Sequence, residues 1–403
     1  MNKPALVLAL GSLIATACAP SLAQRREAAA GTLQALREAR FEATAAEAGK
    51  VLEVDAENPY ARLAAAIARY RAAAHQIATD IPTVFLSGLH TRGVNDRYLR
   101  MALEQFEKDL GLVEDDLAVA AKFPDLALDL CIACWEVDWN RSGEVDDSDR
   151  RLLEIELDEN GDELAPDDPR RRPTYRFDHG DVLWARAIIS FQRAIVDVLL
   201  AYRWDALNKV LPGLVLGMAP TITLELAHPE RIAAAREALL RGLDFADAAR
   251  RSYLAESDDE REWVPNPRQK DYPMPLVVDE ALYQTWELVV ADLRKLLSGQ
   301  EGLGAADMLQ LADPSESEEM PKGYLDIGGM LARPKNIVLD LGQLMRDLDG
   351  ERAEPLLQHF FGEFYVPTMK PSQLPTRLMR MKGEIDRGEE SLGRKIRYLL
   401  WLN

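Results

Sequence analysis

Apolar residues recur at helical spacing through most of this chain. Residues 26–49 and 58–79 are rich in alanine, the strongest helix former, and predict two helices joined by a turn at Leu52–Pro59. Leu99, Leu103, Phe106 and Leu110 share one face of a helix that Asn95 can cap and that runs to about Lys122. Pro124 and Asp125 are placed to open a helix that leads into the stretch beginning at Asp138. From Asp178 to Tyr202, apolar residues such as Ile188, Phe191, Ile195 and Leu199 cover much of the helical circumference, which predicts the centre of the core. Pro229 starts a helix to about Tyr253, and Leu282, Trp286, Val289, Leu293 and Leu297 make 277–297 amphipathic. Shorter helices are expected near 336–348, 353–363 and 373–387.

A few stretches break this period. Thr221–Leu226 alternates like a strand, but one strand makes no sheet. Residues 256–275 are acidic and then proline-rich, which reads as a connector. Residues 156–173 and 299–334 are irregular. The expected fold class is mainly α: a multi-helix globular array. Its regions are 24–125, then 126–205 with the central helix, then 206–403.

Composition changes the picture in two places. The 403 residues are 47% hydrophobic, enough for a real core, and carry a formal net charge of −19. That charge repels nucleic acid and anionic membrane surfaces and excludes both as expected partners. Residues 1–23 read as a leader, with Lys3, an apolar run from Ala5 to Ala15, and then small residues. Ser21-Leu22-Ala23 fits a cut before Gln24. Ile14–Cys18 resembles a bacterial lipobox, in which Cys18 would carry the lipid that attaches the protein to a membrane. Either way the expectation is export, to the periplasm or the outer membrane. In that setting Cys131 and Cys134 can oxidise. Their apolar neighbours Leu128, Leu130, Ile132 and Val137 favour packed thiols in a buried helix over a disulfide.

Candidate chemistry concentrates at Asp138–Asp149, D-W-N-R-S-G-E-V-D-D-S-D. Oxygen side chains stand at loop positions 1, 3, 5, 9 and 12, and Gly143 stands at position 6. A hard divalent cation takes about six to eight oxygen ligands, and a twelve-residue loop with a glycine at its sharp turn supplies them. Over Asp138–Leu153 the pattern resembles an EF-hand loop, and more closely the dockerin-type form. The resemblance implies bound Ca2+. Asp138, Asn140 and Ser142 would ligate by side chain, Glu144 by its backbone carbonyl, Asp146 directly or through water, and Asp149 would close the site. Ser142 stands where an acid is usual, and Asp149 replaces the long glutamate of an EF-hand. Asp158–Asp162 begins like a second loop but lacks the glycine at position 6 and meets Pro169 at position 12. The Leu52–Pro59 junction resembles a tetratricopeptide-type helical hairpin, present once.

Other groups carry weaker signals. Asp178-His179-Gly180-Asp181 stands at a helix start, where acids cap free N–H groups. His359 and Glu363 lie four apart and could share a metal. Trp135, Trp139 and Trp184 cluster near the loop. The expectation is a calcium-binding helical envelope protein with a binding or assembly role. Its partner would be a protein or envelope ligand of unknown identity, and its calcium structural rather than signalling. The alternative is an exported, hydrolase-like enzyme built from dispersed carboxylates such as Glu136, Asp178 and Asp181 with His179.

Overall fold

The structure is a computed structural model that describes residues 19–91, 96–139, 142–158, 162–206, 221–273, 278–307, 321–340, 342 and 353–385. The fold is mainly α, as the apolar periodicity requires. The helix expected over 26–49 is three helices: α1 (Leu22–Ala28), α2 (Ala30–Arg37) and α3 (Phe41–Val54). The chain breaks before α3 at Ala39, whose φ of 53° leaves the helical region. Helix α1 begins inside the segment read as leader. The Ser21 hydroxyl accepts from the Gln24 N–H and the Gln24 side chain accepts from the Ser21 N–H, a reciprocal cap.

Helix α4 (Pro59–Thr91) outruns its predicted end and keeps Pro82 within it. It forms the expected hairpin with α3, packed through Ala48, Ala61 and Ala65. Asn58, fully buried, fixes the turn. Its Oδ1 accepts from the Ala61 N–H at 3.1 Å and its Nδ2 donates to the Arg25 carbonyl at 2.9 Å. Helix α5 (Asp96–Ala120) buries Leu99, Leu103 and Leu110 as expected, while Asn95 lies outside the described residues. Asp116 of α5 is buried and ion-paired to Arg62 and Arg69 of α4, at 2.7 and 3.1 Å.

After α5 the structure departs from the expected helix at Pro124. Leu126, Leu128 and Leu130 alternate with period two, and all three are buried. The chain therefore runs as strand β1 (Leu128–Leu130). The short helix α6 (Asp147–Arg151) follows, and β2 (Tyr175–Phe177) pairs antiparallel with β1. Cys131 and Cys134 form a disulfide across a single helical turn, with Cα atoms 5.3 Å apart. The expected buried thiols are thus corrected: Cys134 is exposed, because the segment turns at the edge of the core instead of burying a helix there.

Helix α7 (His179–Ala201) lies centrally, between α5 and α8 (Pro229–Ala255). Gly242 of α8 is required there, because a Cβ would sit 2.4 Å from the Phe191 ring. Strand β3 (Thr221–Leu224) does find a partner. It pairs antiparallel with a strand at Ile337–Asp340, in a stretch read from sequence as helix. The β-branched Ile337 and Val338 suit that pairing. Residues 256–273 are no solvated connector: Trp263, Asn266 and Gln269 are buried, and Trp263 packs on Phe177 with ring centroids 5.6 Å apart. Helix α9 (Glu280–Leu297) packs on α8. Among the described residues no helix is long and apolar enough to cross a membrane.

Candidate functional site

The loop at Asp138–Asp149 is a closed turn. The Asp138 carboxylate accepts from the Ser142 N–H at 3.0 Å and the Gly143 N–H at 2.8 Å. That closure needs a left-handed residue, and Gly143 supplies it with φ +95°. Ser142 Oγ donates to the Glu144 carbonyl at 2.8 Å. Asp146 caps α6 by accepting from the N–H groups of Ser148 and Asp149, at 2.7 and 3.2 Å. Asp149 is buried and ties the two ends together. One of its oxygens accepts from the Trp139 N–H at 2.7 Å, the other from the Asp146 N–H at 3.0 Å. Asn140 lies outside the described residues. Among the described residues, the carboxylates of Asp138, Glu144, Asp146 and Asp149 do not bring three oxygens within 4.8 Å of one another. Among the described residues no α-helix runs into the loop; a single 3-10 turn at Ile132–Cys134 precedes it, and its exit is helical.

The group that does converge is elsewhere. Asp178, Glu256 and Glu262 each place an oxygen within 4.8 Å of the others. Asp178 caps α7, accepting from the Gly180 N–H at 2.7 Å, and Asp181 accepts in return from the Asp178 N–H at 2.9 Å. The capping expected of Asp178 is therefore present, and it pulls Asp181 beneath the surface. Tyr253 donates its hydroxyl to Asp181 at 2.8 Å.

Burial governs this cluster. Desolvation pushes the Asp181 carboxyl well above its ordinary range, and the neighbouring Asp178 charge adds to it. Burial first, then the Asp178 charge, pushes Glu256 up to about 10. Burial pushes Glu262 up to about 7. Glu256 Oε1 has no hydrogen-bond donor among the described residues. A proton held between Asp178 and Glu256 supplies one. The cluster accordingly holds protons at neutral pH, where a row of ionised acids in the same space would repel.

The remaining sequence candidates are dispersed. His179 adjoins the cluster but turns away from it. Its Nε2 donates to the Ala121 carbonyl at 3.0 Å, which leaves Nδ1 to accept from the Ser252 hydroxyl at 3.2 Å. Glu136 is exposed and outside the cluster. His359 Nε2 accepts from the Asp340 N–H, while Glu363 pairs with Lys335 at 2.7 Å, so the two do not share a site. Asp158 and Asp162 close on each other by backbone and side-chain bonds, with residues 159–161 outside the described set. Of the nearby arginines, Arg170 pairs with Asp168, and Arg171 and Arg172 both hold the buried Glu154. Trp184 packs edge-on against Trp286. Trp135 and Trp139 instead flank Arg71 of α4, whose guanidinium carbon lies 3.2 Å from the Trp139 ring centroid.

Sequence reasoning missed Glu256, Glu262, Tyr253 and Arg71. The two glutamates stand in the acidic run read as a connector, and the one local hint was the large apolar Trp263 beside Glu262. Compared with known proteins, the chain matches no family model, no curated protein and no solved structure.

Proposed function

We propose that this chain is a calcium-binding helical protein of a bacterial envelope, with a binding or assembly role. Calcium at Asp138–Asp149 is a constitutive brace in this reading. The loop's own turn carries it. Positions 1 and 6 close on each other through Asp138 and Gly143, and positions 9 and 12 cap α6 through Asp146 and Asp149. These contacts support the reading. A hard cation would draw Asp138, Ser142, Asp146 and Asp149 inward, with Asn140 and the Glu144 carbonyl completing the shell. Asp149 also binds the Trp139 N–H, so the brace would fasten the segment after the disulfide to α6.

Calorimetry and melting test this. The expected outcome is calcium uptake that Asp138→Ala abolishes, and a melting temperature that a chelator lowers. An unchanged melt with no heat of binding would remove calcium from the account.

The address is part of the same reading. Ser21 caps α1 and Leu22 packs against the core. A cut before Gln24 would delete both, whereas a cut before Cys18 leaves α1 whole. We therefore favour the lipid-anchored form. Labelled fatty acid should enter the wild-type protein and not Cys18→Ser; equal incorporation in both would reject Cys18 as the anchor.

The second reading, a hydrolase-like enzyme, draws on the convergence of Asp178, Glu256 and Glu262. It has less support, because His179 is engaged by Ala121 and Ser252 and stands outside that convergence.

A further inference from the structure

A pocket of about 140 Å3 opens between α4, α5, α7 and the β1–β2 pair. Its walls are apolar and mostly buried: Leu63, Val113, Leu117, Leu128, Leu130 and Phe177. Among the described residues, two donors at its boundary lack acceptors. Trp135 is only 5% exposed, and its Nε1–H has no hydrogen-bond partner. Arg71 Nη2 is buried without a partner, and among the described residues no carboxylate pairs with this guanidinium. The Arg71 guanidinium carbon lies 5.9 Å from the Trp135 ring centroid, so the two side chains are neighbours in the pocket lining.

A buried donor without an acceptor is costly, more so if charged, and asks for an explanation. Stacking on Trp139 supports the Arg71 charge but accepts no hydrogen bond. Desolvation already draws the Arg71 pKa down to about 10. An anion seated there would reverse that loss. Arg71 also borders the outer groove formed with Phe41, Ala68 and Trp139.

We propose that this pocket binds a small monocarboxylate with an apolar body, its carboxylate held by Arg71 and Trp135 Nε1–H. The size fits, since an apolar cavity of about 150 Å3 accommodates a benzene-sized body. The charge fits a monoanion. Arg71 is the one cation among the lining residues, and a dianion such as phosphate would find no second. Asp181 also lines the pocket, but both its oxygens are taken, by the Tyr253 hydroxyl and the Asp178 N–H. This site goes beyond the calcium reading and does not rest on it.

The test uses the full chain and two probes, 4-fluorobenzoate and 4-fluorobenzyl alcohol, followed by fluorine NMR and tryptophan fluorescence with chelator present. The carboxylate should bind about 10-fold tighter than the alcohol or better. Arg71→Met and Trp135→Phe should each weaken the carboxylate by about 10-fold and leave the alcohol unaffected. Equal binding of the two probes overturns the proposal, and so does absence of binding. That comparison needs no variant, so it decides even if a substitution prevents folding. Carboxylate affinity that survives Arg71→Met in a folded protein also overturns it. Because chelator is present throughout, failure here leaves the calcium loop untouched, and a loop without calcium leaves the pocket untouched.

Discussion

The loop at Asp138–Asp149 and the cluster around Asp178 use the same side chains in opposite settings. In the loop most carboxylates are exposed, and those of Asp138, Asp146 and Asp149 bond to backbone N–H groups of their own turn. In the cluster the carboxylates come from α7 and from the segment after α8, face one another, and are withdrawn from water. A loop of the first kind is written in consecutive residues and has a motif. A cluster of the second kind is made by folding and has none. The difference is where compensation comes from. Backbone donors satisfy Asp138, Asp146 and Asp149. The cluster acids have too few donors, so they are satisfied by retaining protons.

The largest expected effect separates the two regions by pH. Burial raises Glu262 to about 7 and Glu256 to about 10, above the unfolded value of 4.5. Between the unfolded and folded values the native state binds more protons than the unfolded state. Stability is therefore highest near pH 4–5 on this account and falls as pH rises through 7 toward 10. For the buried Glu262 alone the loss amounts to roughly 3 kcal/mol at most. Urea denaturation between pH 5 and pH 9 measures it. Stability that stays level or rises over that range would break the comparison. It would mean that a cation, not protons, neutralises the cluster.

How much of this was legible depends on the range of the interactions. The central helix α7 was readable because apolar residues recur at helical spacing, and Ile189 and Val196 are buried, although Ile195 of the same run is exposed. The Asp178 cap was readable because its partners lie two and three residues on. The pairing of Thr221–Leu224 with Ile337–Asp340 was not, because it joins segments more than a hundred residues apart and neither is a strand alone. Residues 256–271 misled for a related reason. Acids and prolines signal a solvated connector, but here Glu262 and Trp263 are carried inward against β2 and α7. The sharp turn of the loop was legible from Gly143 at its sixth position, whose φ is positive. Arg71 was invisible, because an arginine on an alanine-rich helix looks solvated until Trp135 and Trp139 close over it.

The sharpest form of the comparison is one chemical change made in both regions. Replacing a carboxylate by its amide removes an acceptor and a charge and adds an N–H2 donor. At Asp149 both oxygens already accept from backbone N–H groups, of Trp139 and Asp146. In Asp149→Asn one of those N–H groups would face another donor, in a buried position. The expected loss is about 1–3 kcal/mol, measured in chelator so that no cation contributes. At Glu256 the situation is reversed. Its Oε1 lacks a donor, and its neighbour Asp178 is an acceptor that benefits from one. Glu256→Gln places an N–H2 beside Asp178 and needs no shared proton, so at pH 8 it should gain about 1 kcal/mol. Opposite signs for the two substitutions would establish that loop acids act as acceptors and cluster acids as donors. Losses at both sites would break the comparison, because Glu256 would then act as an acceptor like the loop acids.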